Sequence, residues 1–328
     1  MASWPAHVAA ALSRLPRVPL VDGPSPVQEL RRLRDAIGGG PRILVKRDDA
    51  LPFGFGGNKV RKLEYVAGAA LEAGADTLIT CGGVQSNHAR VTAACAARLG
   101  LHAVLVLNGE RPAVPRGNTL LDTLFGADIH YVDSREARAP AMREIAAALE
   151  RDGRTPFIIP VGASTPRGAI GLARAVEELV DQIPAPDVIV HATSSGGTSA
   201  GLLAGCELLG LDTRVVGISA DEPAAALAAQ ARSLVAGMGE IADFDGASVA
   251  AARPVHIDDR FVGPGYGMPT AESLEATSLL ARTEALVLDP TYTAKAMAGL
   301  IRGVRDRRFR ADETVLFWHT GGLPGVFR

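Results

Sequence analysis

The chain has 328 residues, with 34 Lys+Arg against 36 Asp+Glu and a formal net charge of -2. That length predicts two domains, and the near-neutral charge supplies no field for nucleic acid or an anionic membrane. Cys81, Cys95 and Cys206 form no CxxC pair and no even set, which argues against a disulfide framework or a structural zinc site and fits a reducing cytoplasm.

Pro5, Arg14, Pro16 and Arg17 interrupt the first residues, and no later stretch is apolar for long enough to span a bilayer, so a soluble, intracellular protein is expected. Pro24–Ile37 spaces Val27, Leu30, Leu33 and Ile37 helically behind Ser25 and Pro26 and predicts a capped amphipathic helix. Ile43–Val45 predicts a short strand, and Val60–Ala73 a helix that places Lys59 at or just before its N-terminus. Asp76–Thr80 then reads as a strand, Gly82–His88 as a loop and Ala89–Leu99 as a helix. The same grammar repeats in Ala103–Leu107 with Asn118–Phe125, in Asp128–Val132 with Ala139–Leu149, and in Pro156–Val161 with Arg167–Val180. Asp187–Ala192, a small-residue loop and a helix over Leu202–Leu209 continue it, followed by a strand at Arg214–Ser219. Residues 223–255 read as alanine-rich and irregular, Gly263–Pro269 as a loop, Ala271–Arg282 and Thr291–Val304 as helices, and Thr314–Trp318 as a last strand. Alternation of this kind predicts parallel sheets with crossover helices, an α/β fold. Composition draws no domain boundary, and the basic run Arg302–Arg310 reads as a solvated helix end.

Three stretches can carry chemistry. Only Lys46, Lys59, Lys62 and Lys295 are lysines, and three of them fall within seventeen residues around FGFGGNKVRKLE, Phe53–Glu64. A desolvated lysine can form a Schiff base where an arginine cannot, and the residues alone leave Lys59 and Lys62 equal candidates, with solvated surface lysines as the alternative. Thr193–Gly201 joins a strand to a helix with Gly196, Gly197 and Gly201 among Ser194, Ser195, Thr198 and Ser199, which suits a cradle for a small phosphate, lacking both the GK[ST] ending and the GxGxxG spacing, or a turn made only for close packing. Gly82–His88 has the same placement with Gln85, Ser86, Asn87 and His88, which suits a carboxylate or simple helix capping. A phosphate cradle, a carboxylate cradle and an amine nucleophile together point to pyridoxal phosphate with an amino acid as substrate.

The blocks KRDDALPFGFGGNKVRKLE (Lys46–Glu64), QSNH (Gln85–His88), GNTLLDTLFGADI (Gly117–Ile129), SSGGTSAG (Ser194–Gly201), GPGYGMP (Gly263–Pro269), LDPTYTAKAMAGLI (Leu288–Ile301) and HTGG (His319–Gly322) resemble, in order and over nearly the whole chain, the D-cysteine desulfhydrase and 1-aminocyclopropane-1-carboxylate deaminase family. The resemblance implies a fold type II (tryptophan synthase β-like) pyridoxal-phosphate enzyme, usually a homodimer, with a large domain from residues 1–60 and 165–328 and a small one from 61–164. It implies that Lys59, the lysine of GGNK, forms the Schiff base, leaving Lys62 a helix-surface or structural role. Asn87 then contacts the cofactor's ring hydroxyl, Ser195, Gly196, Gly197 and Thr198 its phosphate, and Thr320 its ring nitrogen. Ser86, with Gln85, Asn87 and His88, is expected at the substrate carboxylate, Tyr292 near the leaving group or in proton transfer, and Tyr266 as a substrate-side loop residue.

Cyclopropane-opening members of the family carry a glutamate after the tyrosine of DPxY and lack the threonine of HTGG, whereas this chain has Thr293 and Thr320. A neutral hydroxyl at the ring nitrogen gives a weaker electron sink, which suffices where the β substituent leaves readily. The expected reaction is therefore β-elimination, most directly D-cysteine to pyruvate, hydrogen sulfide and ammonia. Elimination from another β-substituted amino acid such as L-cysteate, cyclopropane opening, and a non-catalytic ligand binder on the same scaffold are the alternatives.

Overall fold

The computed structural model describes residues 3–328. Its elements run α1 (Ala6–Arg14), β1 (Val27–Glu29), α2 (Arg31–Ala36), β2 (Arg42–Arg47), α3 (Lys59–Glu72), β3 (Thr77–Gly83), α4 (Asn87–Leu99), β4 (His102–Asn108), α5 (Gly117–Leu124), β5 (Asp128–Val132) and α6 (Arg138–Arg151). They continue with β6 (Pro156–Ile159), α7 (Pro166–Gln182), β7 (Val188–Thr193), α8 (Gly197–Leu208), β8 (Arg214–Ser219), α9 (Ala224–Ala242), α10 (Gly246–Ala252), β9 (His256–Asp258), α11 (Ala271–Glu284), α12 (Thr293–Arg305) and β10 (Thr314–His319).

The strands form two sheets, one of six in the order β1-β2-β10-β7-β8-β9 and one of four in the order β5-β4-β3-β6. Every pairing is parallel except β1 with β2, as the crossover pattern requires. Central strands are covered on both faces, so β7 is buried throughout and β3 along all but its last residue. Val60, Leu63, Val66, Ala67 and Ala70 of α3 share a core with Leu78, Leu105 and Leu107 of the four-stranded sheet, and Val18, Leu20 and Leu51 from outside that sheet join them. The larger sheet has a core on each face, one built around α7, α8 and α9 and the other around α11 and α12.

Several expectations need correction. Pro24–Ile37 is not one helix: Val27–Glu29 pairs antiparallel with Leu44–Lys46, and only Arg31–Ala36 is helical. Edge pairing to β2 outweighs the helical spacing there, while Leu30 and Leu33 still bury. Residues 223–255 are not irregular, since α9 and α10 occupy most of them. Alanine favours helix, and Leu227, Ala231, Leu234, Val235 and Met238 pack into the core. Helix α8 begins at Gly197, five residues before the predicted start, inside the proposed phosphate loop. Helix α1 and strand β9 carried no expectation.

Candidate active site

In a parallel sheet the loops after the strands' C-terminal ends are where ligands bind. Here those loops from both sheets line one cavity of about 580 Å³. Into it the structure brings Lys59, Gln85, Ser86, Asn87 and His88 from one side, and Ser195, Gly196, Thr198, Tyr266, Tyr292 and Thr320 from the other. Gly197 stands apart: it does not line the cavity, its N–H donates to Ser195 O at 2.9 Å, and a Cβ there would lie 2.7 Å from Lys62 Nζ.

Among the described residues Lys59 is the one lysine that lines the cavity. Burial, and then the charge of Arg90, lower its amine to about 8. The other three are fully buried and bonded elsewhere. Lys46 is held by Ser25 O, Glu178 and Gln182, and Lys295 by the carbonyls of Ala220, Val262 and Gly265. Lys62 donates to Gly162 O and Ser164 Oγ, both at 3.2 Å, so its expected place on a helix surface is wrong and the structural half of that expectation holds. The reading of these lysines as solvated surface groups fails with it.

Helix α8 starts from Gly196, whose φ of 74° lies in the left-handed region, and it has no side-chain cap. Of its first-turn N–H groups, that of Gly197 is taken by Ser195 O, whereas those of Thr198 and Ser199 have no acceptor among the described residues and are free for a ligand. Asn58, which the sequence reading missed, braces this end: its Nδ2 donates to Thr198 Oγ1 at 2.8 Å and its N–H to Thr320 O at 3.1 Å. Ser195 Oγ shares a hydrogen bond of 2.7 Å with Ser164 Oγ.

Helix α4 is finished differently. Ser86 Oγ accepts from the Ala89 N–H at 3.2 Å, so capping and cavity lining coexist in one residue. Gly82 makes the room, since a Cβ there would meet Ser86 at 2.4 Å. Gln85 spends its amide on α5, accepting from the Asn118 N–H at 2.9 Å and donating to Arg116 O at 3.1 Å. His88 Nε2 bonds Thr80 Oγ1 at 2.7 Å, and burial followed by the charges of Lys59 and Lys62 keeps its imidazole neutral, its pKa well below the ordinary value.

Tyr266 and Tyr292 meet edge to face, ring centroids 5.8 Å apart, with their hydroxyls hydrogen-bonded. Burial raises both phenols, that of Tyr292 far above its usual range, so each is protonated at neutral pH. Asp289 receives the N–H groups of Thr291, Tyr292 and Thr293 at 2.8–3.0 Å and so sets the start of α12, a role its Asp-Pro pair signals. Thr293 turns away from the cavity and bonds Asp289 Oδ1 at 2.8 Å, whereas Thr320 lines it. Arg135, from the segment after β5, lies 5.1 Å from the Tyr266 ring centroid and pairs with Asp221 and Glu222 beyond β8. No local pattern marked that contact.

These features fit pyridoxal phosphate: a desolvated amine, an open helix N-terminus for a phosphate and a cavity large enough for cofactor and substrate together. Comparison with known proteins agrees. Residues 18–321 match the family model described as pyridoxal-phosphate dependent enzyme. The curated D-cysteine desulfhydrases of Salmonella typhi and of Klebsiella pneumoniae are 41% and 40% identical to the chain, each over 96% of it and 97% of the relative. A crystal structure described as an ACC deaminase homologue superposes with TM-score 0.90 at 38% identity, covering 98% of this chain and 97% of that one. A solved L-serine ammonia-lyase from Rhizomucor miehei, at 16% identity and TM-score 0.67 over 91% of this chain and 93% of that one, shares the fold. The chain belongs to the pyridoxal-phosphate-dependent enzyme family, with the fold type II architecture and pyridoxal phosphate as cofactor.

Proposed function

We propose that this enzyme eliminates the β substituent of an amino acid, with D-cysteine as substrate and pyruvate, hydrogen sulfide and ammonia as products. The 41% identity to a D-cysteine desulfhydrase over nearly the whole chain carries this reading. Bound pyridoxal phosphate supplies the sink for the electron pair left on Cα when its proton departs. Lys59 would hold the cofactor covalently, and its amine, when free, would take the proton from the substrate's Cα. Ser195, Gly196 and Thr198 with the open end of α8 would hold the phosphate, while Gly197 shapes the turn. Asn87 would hold the ring hydroxyl and Thr320 the ring nitrogen. Ser86 and the start of α4 hold the substrate carboxylate. The carbon–sulfur bond breaks with both electrons on sulfur, and protonated Tyr292, steadied by Tyr266, supplies the departing group with a proton. Water supplies the oxygen of pyruvate as ammonia leaves, so D-cysteine and one water balance the three products.

Pyruvate release from D-cysteine by the wild type and by Lys59→Ala tests the reading, and equal turnover would sink it. The ACC deaminase homologue keeps cyclopropane opening as a second reading. Thr293, bonded to Asp289 and outside the cavity, speaks against it, and keto-acid formation from the cyclopropane amino acid measures it directly. We further propose a large domain of residues 1–60 and 165–328, a small one of 61–164, a homodimer in solution and a cytoplasmic location. Membership of the strands in the two sheets supports the division. Sedimentation and cell fractionation test the assembly and the location, and no helix among the described residues is long and apolar enough to cross a membrane.

A further inference from the structure

Asn118, the second residue of α5, is fully buried, yet its whole amide is engaged. Arg90 Nε donates to Asn118 Oδ1 at 3.2 Å. Asn118 Nδ2 donates to Gln85 O at 2.8 Å and to Asn87 Oδ1 at 2.9 Å. A guanidinium can only donate, so the atom of Asn118 that meets Arg90 has to be its oxygen. The nitrogen of Asn118 must then face Asn87, and because an amide nitrogen also only donates, Asn87 must answer with its oxygen. The Asn87 amide is thereby turned one way. Its Nδ2 has no acceptor among the described residues, and Asn87 lines the cavity.

The origin of this chain of constraints is itself fixed. Arg90 is fully buried and also donates to the carbonyls of Gly54 and, at 3.1 Å, Gly56, in the loop before Lys59. Burial lowers the guanidinium only to about 10, so it remains a donor at neutral pH.

We propose that Asn118 is a positioning residue which, taking its orientation from Arg90, sets the end of the Asn87 amide that enters the cavity, so that the site offers a donor to the cofactor's ring oxygen and selects that oxygen in its ionised, accepting form. The proposal rests on the assignment of Asn87 to the ring hydroxyl. Hydrogen bonding to the charged form of an acid favours that form, so an Asn87 turned the other way would favour the protonated ring oxygen instead.

Asn118→Asp keeps the size and the contact with Arg90 but cannot donate, and Asn87 would turn its nitrogen toward the new carboxylate. Two measurements read the result: the affinity of the apoprotein for pyridoxal phosphate, and the spectrophotometric pH titration of the bound cofactor. Loss of a hydrogen bond to a charged group corresponds to about 10- to 100-fold weaker cofactor binding. The titration midpoint is expected to move upward. Asn118→Ser, which removes the contact without adding charge, carries the same two measurements if the first variant does not fold, with weaker binding and an upward shift again expected. Asn87→Ala separates the two layers. If Asn87→Ala moves the midpoint and the Asn118 variants do not, Asn118 has no positioning role while the assignment of Asn87 stands. Should neither position move it, both are overturned.

Discussion

Two helix N-termini face the same cavity and are completed in opposite ways. α4 is closed by side chains, with Ser86 capping the Ala89 N–H and Gln85 and Asn87 tied to α5. α8 is left open behind a left-handed glycine, with no side-chain cap. An open end presents backbone N–H groups and the positive pole of the helix to any compact anion, which suits a phosphate. A closed end has spent part of that capacity, and its side chains dictate shape and hydrogen-bond polarity, which suits a carboxylate and a ring oxygen. One strand–loop–helix grammar thus yields a charge cradle and a recognition surface.

Removing the group that both ends serve should have the largest effect. Lys59→Ala is expected to cut pyruvate release about 10^3-fold or more and to abolish borohydride fixation of the cofactor to the protein, as read by mass spectrometry. Damage to the open end should come next. Gly196→Ala forces a side chain to φ 74° with its Cβ 3.0 Å from Gln230 Cγ. Left-handed strain of about 1–2 kcal/mol predicts a roughly tenfold loss of pyridoxal phosphate affinity, with KM for D-cysteine unchanged at saturating cofactor. The closed end should answer with the reverse pattern. Ser86→Ala removes a cap of about 1 kcal/mol, lowering the thermal midpoint by a few degrees and raising KM while cofactor affinity holds. If both variants alter the same constant, the division of labour between the two ends is wrong.

The smallest effect is a pH dependence shared by both ends. In the role proposed for Lys59 only the unprotonated amine attacks, and burial lowers its pKa to about 8. Cofactor capture by the apoprotein, followed by stopped-flow absorbance, should therefore quicken as pH rises through 8 and level off above it. An amine of ordinary pKa would keep gaining rate toward about pH 10.

Much of this site was legible in the chain. The positions of Lys59, Ser86, Asn87 and Thr320 followed from strand–loop–helix punctuation together with family resemblance. Lys62 was misplaced because the apolar spacing of α3 does not reveal α7 packing over it; Gly171 of α7 leaves no room for a Cβ, which would lie 2.0 Å from Arg61 O. Residues 224–242 were unreadable because alanines stand on the exposed face as well as the buried one and mask the helical spacing of Leu227, Ala231, Leu234, Val235 and Met238. Asn58 and Arg135 act on partners far away in sequence, Asn58 on Thr198 across 140 positions, and no local pattern announces such pairs.

The sequence by itself determined the chemical inventory: two candidate lysines beside a glycine turn, two helix starts with different polar sets, and neutral Thr293 and Thr320 in place of acids. Backbone preference and donor type belong to a residue and its neighbours, so they survive in one dimension. Tertiary structure decided what those groups mean. It left α8 open and α4 closed, took Thr293 out of the cavity, buried Lys62 and turned the Asn87 amide, because burial and hydrogen-bond polarity are set by whatever side chain arrives from elsewhere in the chain.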